Sequence, residues 1–130
     1  MIVHECVSFL LIEHDSVLLE KRSETRETDA GVINIPGGHI ESGESQVQTL
    51  FREVNEELNV SPKSYKYLCS LYHPTSELQL IHYYVVDNWT GEISAQEAES
   101  VDWYPLSSAP VGIEADSLAL AEYSRVGRYL

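Results

Sequence analysis

Three glutamates constrain this chain more than any other feature. Glu53, Glu56 and Glu57 stand at i, i+3 and i+4, so on an α-helix they share one side. Like charges at that spacing repel, at a cost of about 0.2–0.5 kcal/mol per pair. A fold has no use for such a cluster unless something neutralises it. Hard divalent cations such as magnesium take carboxylate oxygens of this kind as ligands.

The surrounding residues support the helix. Val47, Leu50, Phe51, Val54 and Leu58 follow helical periodicity and form one apolar stripe. At roughly 100° per residue the glutamates fall on an arc beside that stripe, at the rim where the helix meets the body of the protein. Arg52 lies four residues before Glu56, placed to pair with it. Ser45 reads as the N-cap, with Gly43 permitting the sharp entry. Asn59 reads as a left-handed C-terminal residue, with Pro62 close behind.

Taken from Gly38 to Val60, the stretch is Gly-x5-Glu-x7-Arg-Glu-Val-x-Glu-Glu-x-Asn-Val. It resembles the signature of the Nudix hydrolases. One fixed position differs: the family has Gly where this chain has Asn59, a residue that also tolerates the left-handed conformation. The alternative is a surface helix with salt-linked glutamates. The resemblance implies an α+β fold, an α/β/α sandwich whose mixed β-sheet is flanked by helices. It further implies that Glu53, Glu56 and Glu57 bind Mg2+, for which Mn2+ can substitute, together with the carbonyl of Gly38. In relatives the arginine matching Arg52 orients the glutamates. Glu44 matches a glutamate that supports the loop, and it also suits a first-turn acid favoured by the helix dipole.

Composition sets limits. The chain has 130 residues, 43% of them hydrophobic, which suits one soluble domain over residues 1–130. Its formal charge is −13 with only eight Lys and Arg, which argues against a nucleic-acid polymer as partner. An acidic protein acting on an acidic substrate needs cations between the two. Cys6 and Cys69 lack metal-ligand spacing and suit a reduced, cytoplasmic compartment. His4, His14, His73 and His82 have no zinc-type spacing. The apolar run 6–12 is too short to span a bilayer, so no membrane partner is expected. The oligomeric state stays open between monomer and homodimer.

Linkers, repeats and low-complexity tracts are absent from the sequence. Residues 2–12 and 16–21 read as strands around a Glu13-His14-Asp15 turn. Residues 23–31 form a polar loop, and 32–35 a short strand ending at Pro36-Gly37-Gly38. After the helix, 65–73 and 78–87 read as strands joined near Pro74-Thr75-Ser76. Residues 88–91 read as a turn, 101–104 as a last strand and 117–126 as a closing helix. Tyr83, Tyr84 and Trp103 fall in strand patterns and read as core.

The chemistry implied by the resemblance is hydrolysis of a phosphoanhydride. Metal ions offset charge building on the phosphate oxygens, and a carboxylate accepts a proton from water. Relatives differ over which carboxylate does so; Glu53, Glu56 and the loop residue Glu97 remain candidates. Glu97 equally suits a plain acidic loop. Four residues outside the signature are candidates for substrate contact. Arg22 ends a strand that in relatives delivers a basic residue to the ligand, or is a plain strand-end cation. Ile35 precedes the glycines where relatives place an apolar residue under the base. His39 follows them, as a phosphate contact or, more ordinarily, a solvated loop histidine. Asp116 falls where relatives carry an Asn or Asp that reads a purine edge, but its spacing favours an N-cap for the last helix.

Three readings of function follow. The first is a small MutT-type enzyme cleaving a nucleoside triphosphate, ordinary or oxidised, to monophosphate and pyrophosphate. The second is a pyrophosphatase for ADP-ribose or another nucleoside diphosphate sugar, a branch that Pro74 faintly suggests. The third is a non-catalytic nucleotide-sensing module, which retention of every box glutamate disfavours.

Overall fold

The computed structural model describes residues 1–25 and 31–130. Within them the chain runs β1 (Val3–Glu13), β2 (Ser16–Lys21), β3 (Ile33–Asn34), β4 (Gly37–His39), α1 (Gln46–Leu58), β5 (Ser61–Pro74), β6 (Leu78–Thr90), β7 (Ser100–Pro105) and α2 (Glu114–Val126). Part of the loop expected at 23–31 lies outside the described residues.

β1 is the pivot. It pairs in parallel with β6 from Val3↔Leu78 to Leu11↔Val86, and β6 pairs antiparallel with β5. Its other edge is shared between β4, along Cys6 to Ser8, and β2, at Ile12 and Glu13. β2 in turn pairs antiparallel with β7 and, at its end, with β3. The sheet is mixed, as expected.

Side chains of β1 alternate between two cores. Val7, Phe9 and Leu11 pack with Leu50, Val54 and Leu58 of α1. Cys6 and Leu10 pack with Ala115, Ala119 and Leu120 of α2 on the other face. Burial on both faces explains the unbroken apolar run in β1, which a half-exposed strand would not carry. The result is the expected α/β/α arrangement.

The β1–β2 hairpin turns through His14 and Asp15, with φ of 49° and 60°; two successive left-handed residues match the twist of the flanking strands. Past this turn β1 and β2 diverge. The β3–β4 segment bridges the gap, β3 on β2 and β4 on β1, and the Phe9 amide donates to the Pro36 carbonyl at 2.9 Å. That split in the sheet positions the site.

α1 is capped as its sequence suggests. Ser45 Oγ accepts from the Gln48 amide at 3.1 Å while Gln48 Oε1 accepts from the Ser45 amide at 2.8 Å, a reciprocal capping box. Asn59 ends the helix at φ 62°.

Several expectations need correction. The turn at 88–91 is strand up to Thr90, and β5 begins at Ser61 rather than Tyr65, because Ser61 pairs with Thr90 and Pro62 with Trp89. Register shifts on either side of Ser64 absorb the proline. Phe51 is exposed, leaving the stripe for an edge-to-face contact with Tyr65 at 5.6 Å. Trp103 is exposed as well, stacked on Trp89 at 6.0 Å. α2 starts at Glu114 with Ile113 as N-cap and no side-chain cap. Asp116 therefore lies inside the first turn and does not cap it.

Candidate active site

Two cavities meet along Gly37, Gly38 and His39. The first, of about 300 Å³, is also lined by Glu41, Arg52, Glu53, Glu57 and Glu97. The second, a cleft of about 410 Å³, includes Arg22, Asn34, Ile35, Ile81, Ile113 and Asp116 in its wall.

Arg52 organises the acidic cavity. Its Nε and Nη2 donate to Glu44 at 2.7 and 2.8 Å, its Nη1 to Glu53 at 2.7 Å and to Glu56 at 3.2 Å. It also donates to the His39 carbonyl at 3.0 Å. The expected pair with Glu56 is present, but the Glu44 pair is bidentate and shorter. Arg52 holds the Glu44 carboxyl down to about 2. Glu44 also accepts from the Thr49 hydroxyl and the Glu41 amide, so it braces the loop that enters α1.

Glu53 and Glu57 are buried, deeper than the rim position expected for them, while Glu56 is exposed. Burial raises both buried carboxyls. Glu57 is pushed up to about 8, first by burial and then by the charges of Glu20, Glu97 and Glu53. Glu97 reaches this point because the loop carrying it is tied down by backbone bonds from Ser94 to Leu58, Gln96 to Glu57 and Glu99 to Lys21. Among the described residues no three His, Cys, Asp or Glu groups converge as a ready-made metal cluster. Arg52 draws Glu53 and Glu56 toward itself, while Glu57 and Glu97 meet side by side. The donor set still fits a hard divalent cation. Its members are carboxylate oxygens, two of them are buried under mutual repulsion, and a Cβ on Gly38 would overlap the Glu53 carboxylate.

The cleft is held from α2. Asp116, buried there, accepts from the Ile35 amide at 2.8 Å and from the Tyr83 hydroxyl at 2.7 Å. Its carboxylate thus ties the segment before the glycines to the core.

The sequence matches the NUDIX domain family model over residues 3–123. The chain belongs to the NUDIX family. The 8-oxo-dGTP diphosphatase of Escherichia coli (strain K12) is 26% identical over 111 residues, covering 85% of this chain and 82% of that protein. The CTP pyrophosphohydrolase of the same organism is 29% identical over 119 residues, covering 85% and 88%. The MutT NUDIX hydrolase of Burkholderia pseudomallei shares the fold, with a TM-score of 0.85 at 23% identity over 94% of this chain and 98% of that one. As a Nudix enzyme the chain is a pyrophosphohydrolase of phosphorus-containing acid anhydrides. Nudix hydrolases generally need divalent metal ions. Among the described residues no helix is long and apolar enough to cross a membrane.

The Nudix fold brings most of the residues singled out in the sequence to these two cavities. Gly38, Arg52, Glu53, Glu57 and Glu97 line the first, Arg22, Ile35 and Asp116 the second, and His39 borders both. Glu56 lies outside, on Arg52. His39 is not merely solvated: its Nε2 meets Glu77 Oε1 at 2.8 Å. Arg22 stands 3.9 Å from Glu20. Two residues escaped the sequence reading. Glu20, buried, bears on Glu57 and receives Asn34 Nδ2 at 3.4 Å. Asn34 itself is buried in the cleft wall. The signal for Glu20 was a carboxylate in the apolar strand Val17-Leu18-Leu19, in step with the inward-facing Leu18.

Proposed function

We propose that residues 1–130, acting as a single domain, hydrolyse a nucleoside triphosphate to the monophosphate and pyrophosphate, with Mg2+ as the working ion and Mn2+ as a substitute. The observation that carries this reading is the junction of the two cavities. One is acidic and suits a cation carrying phosphates. The other has apolar side chains from Ile35, Ile81 and Ile113 beside polar groups, a composition that suits a base. A nucleotide with its base in the cleft passes its phosphates over Gly37 and Gly38 into the acidic side. The two Escherichia coli relatives are named for nucleoside triphosphates, which supports the same class here.

Glu53 and Glu57 would hold the cation, with Glu56 released from Arg52 and the Gly38 carbonyl completing the set. When bound, the ion supplies charge neutralisation and a more acidic water. Gly38, having no side chain, leaves the Glu53 carboxylate its room. Arg52 keeps Glu53 oriented through the bond to Nη1. A carboxylate must take the proton of the attacking water. Glu53, Glu56 and Glu57 are committed to the cation in this reading, so Glu97, at the cavity wall beside Glu57, takes that role. His39, braced by Glu77, and Arg22 face the phosphates from the cleft side, and Ile35 lies under the base.

Product analysis with magnesium tests the reading, over ordinary and oxidised triphosphates, ADP-ribose and dinucleotides. Monophosphate and pyrophosphate from a triphosphate are expected. AMP from ADP-ribose or a dinucleotide, with triphosphates untouched, would replace this reading by the diphosphate-sugar one. Binding without turnover across the panel would favour a sensing module.

A further inference from the structure

Glu97 lines the acidic cavity, yet the residue is exposed. Its charge bears on Glu53 and Glu57 alike, and like charges at short range push apart. Its place is therefore set by the loop that carries it, residues 91–99, rather than by packing of its own side chain.

That loop leaves β6, which lies between β1 and β5, and returns on β7, which pairs with β2. Among the described residues β6 and β7 do not pair, so no backbone ladder closes the base of the loop. A pair of rings closes it instead. Trp89, one residue before the end of β6, stacks on Trp103 of β7, with centroids 6.0 Å apart and planes 23° from parallel. Trp89 and Ile93 pack on the core that contains Leu58 of α1. Trp103 is 38% exposed, so burial alone is a weak account of a tryptophan there.

Within this closure the loop is tied to α1 and β2. The Ser94 and Gln96 amides donate to the Leu58 and Glu57 carbonyls at 3.0 and 3.1 Å, and the Glu99 amide to the Lys21 carbonyl at 3.0 Å. The first two bonds satisfy carbonyls that the end of a helix leaves open. They also seat Glu97, the residue after Gln96, against the turn of α1 that carries Glu57.

We infer that Trp89 and Trp103 are positioning residues for the reaction: their stack closes the base of loop 91–99 and so fixes the Glu97 carboxylate against α1. With the stack opened, the exposed backbone bonds fray and Glu97 moves out under repulsion from Glu53 and Glu57. Neither ring is in the wall of either cavity, so the effect falls on turnover rather than on nucleotide binding. The inference rests on the role proposed for Glu97.

Trp103→Ala removes the exposed ring. Trp103→Thr does so while keeping a strand-forming residue, which guards against misfolding. With magnesium and the fastest-cleaved of ATP, GTP and CTP, kcat should fall about tenfold in both, with KM within about twofold of the wild type. Trp103→Phe keeps a stacking ring and should recover most of the loss. The sharpest comparison is made in Glu97→Gln. If Trp103 acts through Glu97, Trp103→Ala costs little further turnover in that background, whereas a purely structural role costs the same tenfold again. That repeated loss, or an unchanged kcat in a folded Trp103 variant, would overturn the inference. Hydrogen exchange separates it from the reaction. In Trp103→Ala the Ser94 and Gln96 amides should exchange about tenfold faster or more, with those of β1 unchanged. If Glu97→Gln turns over like the wild type, or no triphosphate is cleaved, the role proposed for Glu97 falls and exchange alone judges the stack. Faster exchange then keeps it as the closure of the loop, and unchanged exchange overturns it.

Discussion

Glu53, Glu56 and Glu57 come from adjacent turns of one helix, whereas the cleft beside them draws its wall from β1, β3, β4, β5, β6 and α2. The two regions also hold charge differently. In the acidic cavity carboxylates outnumber the one guanidinium among them, and burial keeps Glu57 near neutrality at about 8. In the cleft the buried carboxylate of Asp116 is matched by an amide and a hydroxyl. One region gathers carboxylates that a cation would neutralise. In the other, among the described residues, the buried side-chain polar atoms are satisfied except for Asn34 Oδ1. Substitutions should therefore separate them: acidic-cavity changes act on turnover, and cleft changes act on stability and on KM.

The largest effect is expected at Glu57. Glu57→Gln keeps the shape and removes a charge from the cation site. Turnover should fall by about two orders of magnitude or more, as for lost electrostatic stabilisation, with the folded state intact by circular dichroism. A loss below threefold would remove Glu57 from the ligand set.

Next comes Asp116. Asp116→Ala strands the Ile35 amide and the Tyr83 hydroxyl in the core and should cost about 2 kcal/mol of stability in urea. Asp116→Asn can still accept from the amide and donate to the hydroxyl, so it should cost much less. Equal losses for the two would show that the contacts matter little.

A smaller effect separates the regions through the ion. At magnesium about five times its Kd, the wild type should gain about 1 kcal/mol and melt a few degrees higher. Asp116→Asn should keep that gain and Glu57→Gln should lose most of it. A gain that survives in Glu57→Gln would place the ion elsewhere.

The smallest concerns Glu44. Its carboxyl is held down to about 2, chiefly by Arg52. A group lowered in the folded state stabilises the protein above its unfolded value, and that contribution is lost as pH falls from about 4.5 through about 2. Acid unfolding of Glu44→Gln should be shallower than that of the wild type across this window. Matching profiles would show the pair with Arg52 to be too screened to matter.

The same contrast explains what the sequence made legible. The glutamates, Arg52, the Ser45 cap and the left-handed Asn59 depend on spacings within one helix, and they were placed by periodicity and capping rules. So was the β1–β2 hairpin, since its turn is two residues long. The roles of Asn34 and Asp116 were not legible, because each depends on contacts across the fold. Asp116 has the residue type of a helix cap, yet it lies inside the first turn, and the Ile35 amide and Tyr83 hydroxyl that hold it come from far along the chain. Pro62 and Asn88 carry turn propensity, yet pairing between β5 and β6 overrides it. Glu97 reaches the cavity through backbone bonds that no periodicity announces.

The most direct test of the account asks whether one nucleotide spans both regions. Backbone amide NMR of the wild type would follow a triphosphate whose α,β-bridge is methylene, added with magnesium. The account predicts that Ile35 and Asp116 shift together with Gly38, Glu53 and Glu57, in one saturable process. Shifts confined to the glutamates and Gly38, with the cleft residues unmoved at saturation, would contradict it.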